Sequence, residues 1–229
     1  MTGSDFLDTA RVFYDTVARD YTEHFGDWLV SRPFDRAMLA GFAELVGAGA
    51  AGPVADVGCG DGRLTAYLDG LGLSVFGLDL SSAMVALARN SYPHLRFDEG
   101  SMTALDLADG SLGGLLASYS IIHVPRERLP GVFAEFHRVL APGGHLMLSF
   151  QVGDTSLRVD RPFGHEVALD FRRQRPEWIA EALGRAGFVV RARLLREPDE
   201  GVEQVPQAYV VARKPVVSVP SPPSPAQRR

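Results

Sequence analysis

The chain has 229 residues, of which 46% are hydrophobic and 22% charged, and a formal net charge of −5. Those proportions suit a soluble globular protein and exclude a mostly disordered, collagen-like or disulfide-built chain. The acidic balance speaks against nucleic acid as a partner, and the single cysteine, Cys59, permits neither an internal disulfide nor a cysteine-cluster metal site. The start, residues 1–10, lacks the apolar core of a signal peptide, and no greasy stretch reaches membrane-spanning length before Gly, Pro or charge interrupts it. A cytoplasmic protein with no metal site and no membrane partner is expected.

In chain order, Phe6, Val12, Phe13, Val17, Tyr21 and Phe25 make a helical stripe over 5–25. A second stripe over 33–46 runs through Phe34, Met38, Leu39, Phe42 and Leu45, and opens on Pro33, which suits a first helical turn. Gly and Ala at 47–52 form a connector. A short strand at 54–57 runs into a glycine loop; a helix starts at Arg63, and an apolar strand covers 73–80. Ser81 or Ser82 caps the next helix, which carries Met84, Leu87 and Ala88. Strands follow at 95–97 and within 112–122. A helix over 129–140 stops before the turn Pro142-Gly143-Gly144, and a fifth strand covers 145–150. An irregular stretch leads to a helix at 176–187 and closing strands at 188–195 and 209–212. Strands alternating with helices predict an α/β fold, a Rossmann-like, mostly parallel sheet with helices on both faces. The expected organisation is an N-terminal helical cap (1–49), an α/β domain (50–214) and a disordered tail (215–229) with five prolines in fifteen residues.

The sharpest feature is Asp56-Val57-Gly58-Cys59-Gly60-Asp61-Gly62, directly after the first strand. Glycines there let the backbone turn tightly and bring a ligand close to bare amides. A dinucleotide loop, G-x-G-x-x-G, would need glycine where Arg63 stands, so the observed spacing suits a ligand without a pyrophosphate. An ordinary tight strand–helix turn is the structural alternative. Asp79 ends the next strand, seventeen positions beyond Gly62, where a carboxylate can accept hydrogen bonds from both hydroxyls of a ribose. Its alternative is a helix-entry carboxylate beside Ser81.

These segments resemble the class I S-adenosylmethionine-dependent methyltransferases. The resemblance covers about residues 50–212 and rests on VADVGCGDG (54–62), VFGLDLSSAMVALAR (75–89), FDEGSMTAL (97–105), LLASYSIIHV (115–124) and LAPGGHLMLSF (140–150). It implies a seven-stranded sheet whose last strand is antiparallel, S-adenosylmethionine as cofactor, and methyl transfer to a small-molecule acceptor, O-methylation ahead of N- or C-methylation. Carried over residue by residue, Asp56, Gly58 and Gly60, with Cys59 between them, would hold the methionine end. Asp79 would take the ribose and Leu80 the adenine face, with Met84 walling the pocket and Ser101 and Met102 beside the base. Ser101 departs from the family's acidic residue; a hydroxyl bonds the exocyclic amine less strongly than a carboxylate. Gly113-Gly114 replaces the usual Phe-Asp, so the loops must be supported from elsewhere. A nonenzymatic protein that keeps the nucleoside site is the rival reading those departures support, and Arg63 counts against a nicotinamide-dependent oxidoreductase.

Ser118, Tyr119 and His123 follow the fourth strand, on the edge where open α/β sheets bind ligands. His123 is the first candidate for an acid/base or acceptor-orienting role; the alternative is a histidine that bonds the cofactor or caps a helix. Tyr14 and Tyr21 lie two turns apart on the first helix, which in the resembling family covers the cofactor. They either contact the methionine carboxylate or pack, and His24 reads as a surface residue. His165, beside Glu166, is the second catalytic candidate, in the 150–175 segment where the family inserts substrate-recognition structure; a plain surface loop is the alternative. Arg172, Arg173 and Arg175 read as a solvated face or a contact for an anionic substrate. Cys59 has no sequence neighbour to activate it, and its small side chain suits a crowded turn.

Overall fold

The computed structural model describes residues 5–26 and 28–216; most of the Pro/Ser-rich tail lies outside them. The N-terminal part of the chain supplies α1 (Asp5–Phe25) and α2 (Pro33–Gly47). The α/β domain follows as β1 (Val54–Val57), α3 (Arg63–Gly70), β2 (Val75–Asp79), α4 (Ser82–Ser91), β3 (Arg96–Glu99), β4 (Leu112–Ser118), α5 (Leu129–Val139) and β5 (Leu140–Gln151). The remainder is β6 (Ser156–Asp160), β7 (Ala168–Arg172), α6 (Pro176–Arg185), β8 (Val189–Arg196) and β9 (Gln207–Arg213).

Seven strands form one sheet in the order β3-β2-β1-β4-β5-β9-β8, with β9 antiparallel to both neighbours. Parallel strands covered on both faces need apolar side chains at successive positions, and β1 is buried along its whole length. One face is covered by α5 and α6. On α5, Leu129, Val132, Phe133, Phe136 and Val139 point inward at helical spacing. The other face is covered by α2 and α3, where Leu39, Phe42, Val46 and Leu68 pack on Val54, Leu116, Met147 and Tyr209. Each fully buried Phe or Leu contributes about 1.5–3 kcal/mol to this core. Pro33 opens α2, and Ser81 caps α4 by accepting from the Met84 N–H at 3.1 Å. No helix among the described residues is long and apolar enough to cross a membrane.

Three details differ from the sequence expectation. The irregular stretch after β5 contains an antiparallel hairpin, β6–β7, running from Ser156↔Arg172 to Asp160↔Ala168. Its alternation brings Val159, Leu169 and Phe171 against Ala10, Phe13 and Val17 of α1, so the hairpin is ordered by the helix it supports. Secondly, β5 starts at Leu140, because Leu140 pairs with Leu112 and the Pro-Gly-Gly segment is absorbed as a register shift. Thirdly, Gly113-Gly114 is fixed by close approach. A Cβ at Gly113 would sit 2.6 and 2.7 Å from the carbonyl oxygens of Ala50 and Gly52, and one at Gly114 would lie 2.8 Å from Val46 Cγ2. The α2–β1 connector therefore occupies the space a larger pair would need.

The strand order reverses between β1 and β4, and such switch points open a crevice at the carboxyl ends of the strands. Helix α1 lies across this edge, packed on α4 and on β7.

Candidate active site

The crevice under α1 is a cavity of about 120 Å³. Its floor is the β1–α3 turn. Gly58 has φ +80°, and a Cβ there would lie 2.3 Å from Cβ of Ser120, whose hydroxyl donates to the Val57 carbonyl at 2.8 Å. The turn is thus locked against the segment leaving β4, and only glycine fits. Gly60 lines the cavity, and its N–H donates to Asp79 Oδ2 at 2.7 Å. The Ser81 N–H donates to Asp79 Oδ1 at 2.9 Å. Each oxygen of this cavity-lining carboxylate keeps further acceptor capacity. Burial pushes the Asp79 carboxyl up, and its backbone N–H partners pull it back.

Beside Asp79, Leu80, Met84, Ser101 and Met102 line an apolar slot. The Ser101 hydroxyl lies 2.8 Å from that of Thr103. Ser118 and Tyr119 line the opposite end, with Ser118 Oγ 2.6 Å from Ser149 Oγ. Tyr119 leaves β4 with φ 50° and meets Trp28 edge-on at 6.0 Å. Burial raises its phenol pKa.

Asp56 and Cys59 support the loop from outside the cavity lining. Asp56 is 1% exposed and accepts from Thr65 Oγ1 at 2.7 Å. Burial is the main cause pushing its carboxyl up to about 7. Cys59 packs with Val85, Ala88 and Phe97, where burial raises its thiol pKa; this argues against a ready thiolate nucleophile.

The roof is α1. Tyr14 and Tyr21 both line the cavity, with ring centres 5.8 Å apart. Tyr14 Oη lies 2.8 Å from His123 Nε2. His123 is wedged between Tyr14 and Phe171, at 5.2 and 4.9 Å, and its carbonyl accepts from Arg172. Burial, reinforced by the Arg172 charge, lowers the imidazole to about 3, so it is neutral near pH 7. Asp15 on the outer side of α1 accepts from Ser81 Oγ at 2.6 Å and the Ala83 N–H at 3.1 Å, clasping α1 to the start of α4.

His165 lies elsewhere. It lies in the β6–β7 connection, pairs with Asp20 Oδ2 at 2.8 Å and is 38% exposed, outside the cavity lining. Glu166 pairs with Arg161 at the surface, and His24 packs on Phe163. Phe6, read from the sequence only as part of the helical stripe, lines the cavity together with Leu7 and Ala10, which the sequence did not single out. Their helical stripe carries no signal that separates a cavity wall from core.

The description of a methyltransferase domain matches residues 54–144, the stretch from β1 into β5 that builds the cavity floor. A demethylmenaquinone methyltransferase of Chlorobaculum parvum is 39% identical over 92 residues, covering 40% of this chain and 37% of that protein. Its counterpart in Beutenbergia cavernae is 33% identical over 138 residues, covering 59% and 55%. The chain thus matches about a third to a half of these relatives' length. A Burkholderia thailandensis 1,6-didemethyltoxoflavin-N1-methyltransferase, solved with its substrate and S-adenosylhomocysteine, shares the fold at a TM-score of 0.70 and 20% identity, covering 94% of this chain and 91% of that one. Residues 54–144, which carry the glycine loop and the strands from β1 into β5, are thus similar to a methyltransferase domain, and the fold as a whole is shared with solved methyltransferases.

Proposed function

We propose that the chain binds S-adenosylmethionine in the cavity under α1 and transfers its methyl group to a small-molecule acceptor, O-methylation being the first choice. The observation that carries this reading is Asp79, a half-buried carboxylate at the switch point, held by two backbone N–H groups and open to the cavity. A ribose diol fits that carboxylate, and a purine fits the slot of Leu80, Met84 and Met102. The packed cavity is only about 120 Å³, whereas pockets for comparable ligands run to roughly 300–1,000 Å³. Helix α1 therefore serves as a lid that shifts to admit the ligand.

When bound, S-adenosylmethionine supplies a sulfonium methyl group already activated for displacement. The protein's share of the work is alignment, and positioning can contribute roughly 7–11 kcal/mol in favourable cases. In this reading Gly58 and Gly60 offer backbone to the methionine end, with Asp56 and Cys59 bracing the turn. Ser101 and Met102 meet the base, while Tyr14, Tyr21, Ser118 and Tyr119 close the chamber. His123 is the group placed to orient the acceptor. Its depressed basicity suits an acceptor that ionises readily, such as a phenol or carboxylate, better than one needing a strong base. His165 has no part in this arrangement. N-methylation is the second reading, favoured by the N1 specificity named for the toxoflavin relative.

Titration calorimetry with S-adenosylmethionine, S-adenosylhomocysteine and NADH tests the site. Binding of the first two and not the third is expected; NADH alone, or none of the three, would overturn the reading. Turnover against a panel of phenols, carboxylates and heteroaromatic amines then separates an enzyme from a nonenzymatic binding protein.

A further inference from the structure

Tyr119 lines the end of the cavity away from Leu80 and Met102, and it leaves β4 in the left-handed region, a strained conformation for a tyrosine. Its N–H donates to the Ser149 carbonyl at 2.9 Å, and Ser149 pairs across the sheet with Tyr209 of β9. The Tyr119 hydroxyl is buried without a well-formed hydrogen bond, within electrostatic reach of Tyr209 and Asp35. The Tyr209 hydroxyl in turn donates to Asp35 Oδ1. Asp35 stands in the first turn of α2, is 3% exposed, and its Oδ2 has no partner either. Two orphaned buried oxygens around one tyrosine hydroxyl call for an explanation, and catalytic hydrogen bonds are often loose until the reactants are in place.

We propose that Tyr119, Tyr209 and Asp35 form a relay that takes the proton from a hydroxyl acceptor, an assignment that rests on the O-methylation reading above. As the acceptor oxygen bonds to the methyl carbon and the carbon–sulfur bond breaks, the acceptor's proton passes to Tyr119 Oη. The proton of Tyr119 moves to Tyr209 Oη, and that of Tyr209 to Asp35. Both phenols end neutral and the proton rests on a buried carboxyl group. Tyr119 is the catalytic residue of the three; Tyr209 and Asp35 act through it. Burial raises the Tyr119 phenol, so it hands a proton on rather than ionising. Burial raises the Asp35 carboxyl too, making it a stronger proton acceptor than an exposed aspartate, while Tyr209, Arg196 and Arg32 pull it back against Glu203. Neither arginine is free to take the acceptor instead: Arg196 pairs with Glu203 at 2.6 Å and Arg32 with Asp199.

The test is calorimetry on the full chain saturated with S-adenosylhomocysteine, with 4-nitrophenol and 4-nitroanisole as probes at a pH where the phenol is neutral. The two probes share a ring and a nitro group, and only the phenol can donate to Tyr119. The wild type is expected to bind the phenol at least about fivefold more tightly than the ether, and Tyr119→Phe to bind the two within about twofold. Turnover of phenols of graded acidity gives the second readout. In Tyr119→Phe and Asp35→Asn the fall in kcat should grow as the phenol becomes less acidic, as loss of a proton acceptor requires and loosened packing does not. Tyr209→Phe, which cuts the relay behind the cavity wall, carries this comparison if Asp35→Asn does not fold. A phenol preference that survives Tyr119→Phe, or a fall in kcat independent of acidity, would overturn the relay. A wild type that binds S-adenosylhomocysteine but does not distinguish the probes would overturn it and leave the cofactor site standing. Failure to bind S-adenosylhomocysteine would remove the cofactor reading and the relay together.

Discussion

Tyr14 on α1 and His123 beyond β4 are 109 residues apart in sequence, yet their Oη and Nε2 atoms lie 2.8 Å apart at the cavity. Burial raises the phenol pKa and lowers that of the imidazole, so this is a bond between two neutral groups near pH 7. It holds α1 shut from within, while Asp15 holds it from outside. Tyr14→Phe leaves a buried ring nitrogen without its partner and should lower unfolding stability by about 1–3 kcal/mol. Urea denaturation followed by circular dichroism measures this; an unchanged midpoint with an unchanged slope would mean that the clasp is not formed in solution.

Asp79 joins the glycine loop, the start of α4 and the cavity. If Asp79 holds the ribose as proposed, replacing it with alanine removes two charge-assisted contacts and should weaken S-adenosylmethionine by about 2–4 kcal/mol, roughly 30- to 1,000-fold. Calorimetry on a variant whose thermal unfolding stays cooperative decides the matter, and an affinity equal to wild type would remove Asp79 from the ribose site.

Much of this was legible in the sequence because it is local. A strand, a glycine loop and a helix are adjacent in the chain, and the helical stripe of 5–25 became α1 with the same bounds. The hairpin β6–β7 was not legible. Its five-residue strands are half exposed, and what orders them is Leu169 and Phe171 meeting a helix some 150 residues earlier. The same distance in sequence hid the placement of His165. Nothing in its neighbourhood announces that Asp20 takes its ring, outside the cavity. Gly113-Gly114 looked like a missing support until the α2–β1 connector appeared against it.

Gly58 and Gly60 separate fold from function within one turn. At Gly58 a methyl group would lie 2.3 Å from Ser120 Cβ, at φ +80°. Gly58→Ala should therefore cost about 1–3 kcal/mol of stability through strain and overpacking. At Gly60 nothing stands within 4 Å of the added carbon, although φ is +56°. Gly60→Ala should carry only the left-handed backbone penalty, about 1–2 kcal/mol, while weakening the ligand whose space it enters. Thermal unfolding and calorimetry on both variants check this. A Gly60→Ala protein with undiminished S-adenosylmethionine affinity would place the ligand away from that amide.

Asp56, which is buried, and His123, which is partly buried, set opposing pH dependences. Asp56 has its pKa raised from an ordinary 3.8 to about 7. The folded state therefore holds its proton more tightly, and the stability this gives is lost as pH rises through that window. His123 is lowered from 6.5 to about 3. Its contribution is complete above pH 6.5 and is lost as pH falls towards 3. Where the windows overlap, the two slopes cancel, each reaching about 1.4 kcal/mol per pH unit. Asp56→Asn keeps an oxygen for Thr65 and removes the titration. Its stability relative to wild type should climb steadily from about pH 4 to pH 7 and then level off. His123→Gln should show the reverse, a relative gain that grows as pH falls below about 6.5. Urea denaturation at unit pH steps reads both differences. If the Asp56→Asn difference were flat across pH 4–7, Asp56 would be ionised in the folded protein throughout, and the turn would be holding a charge rather than a proton.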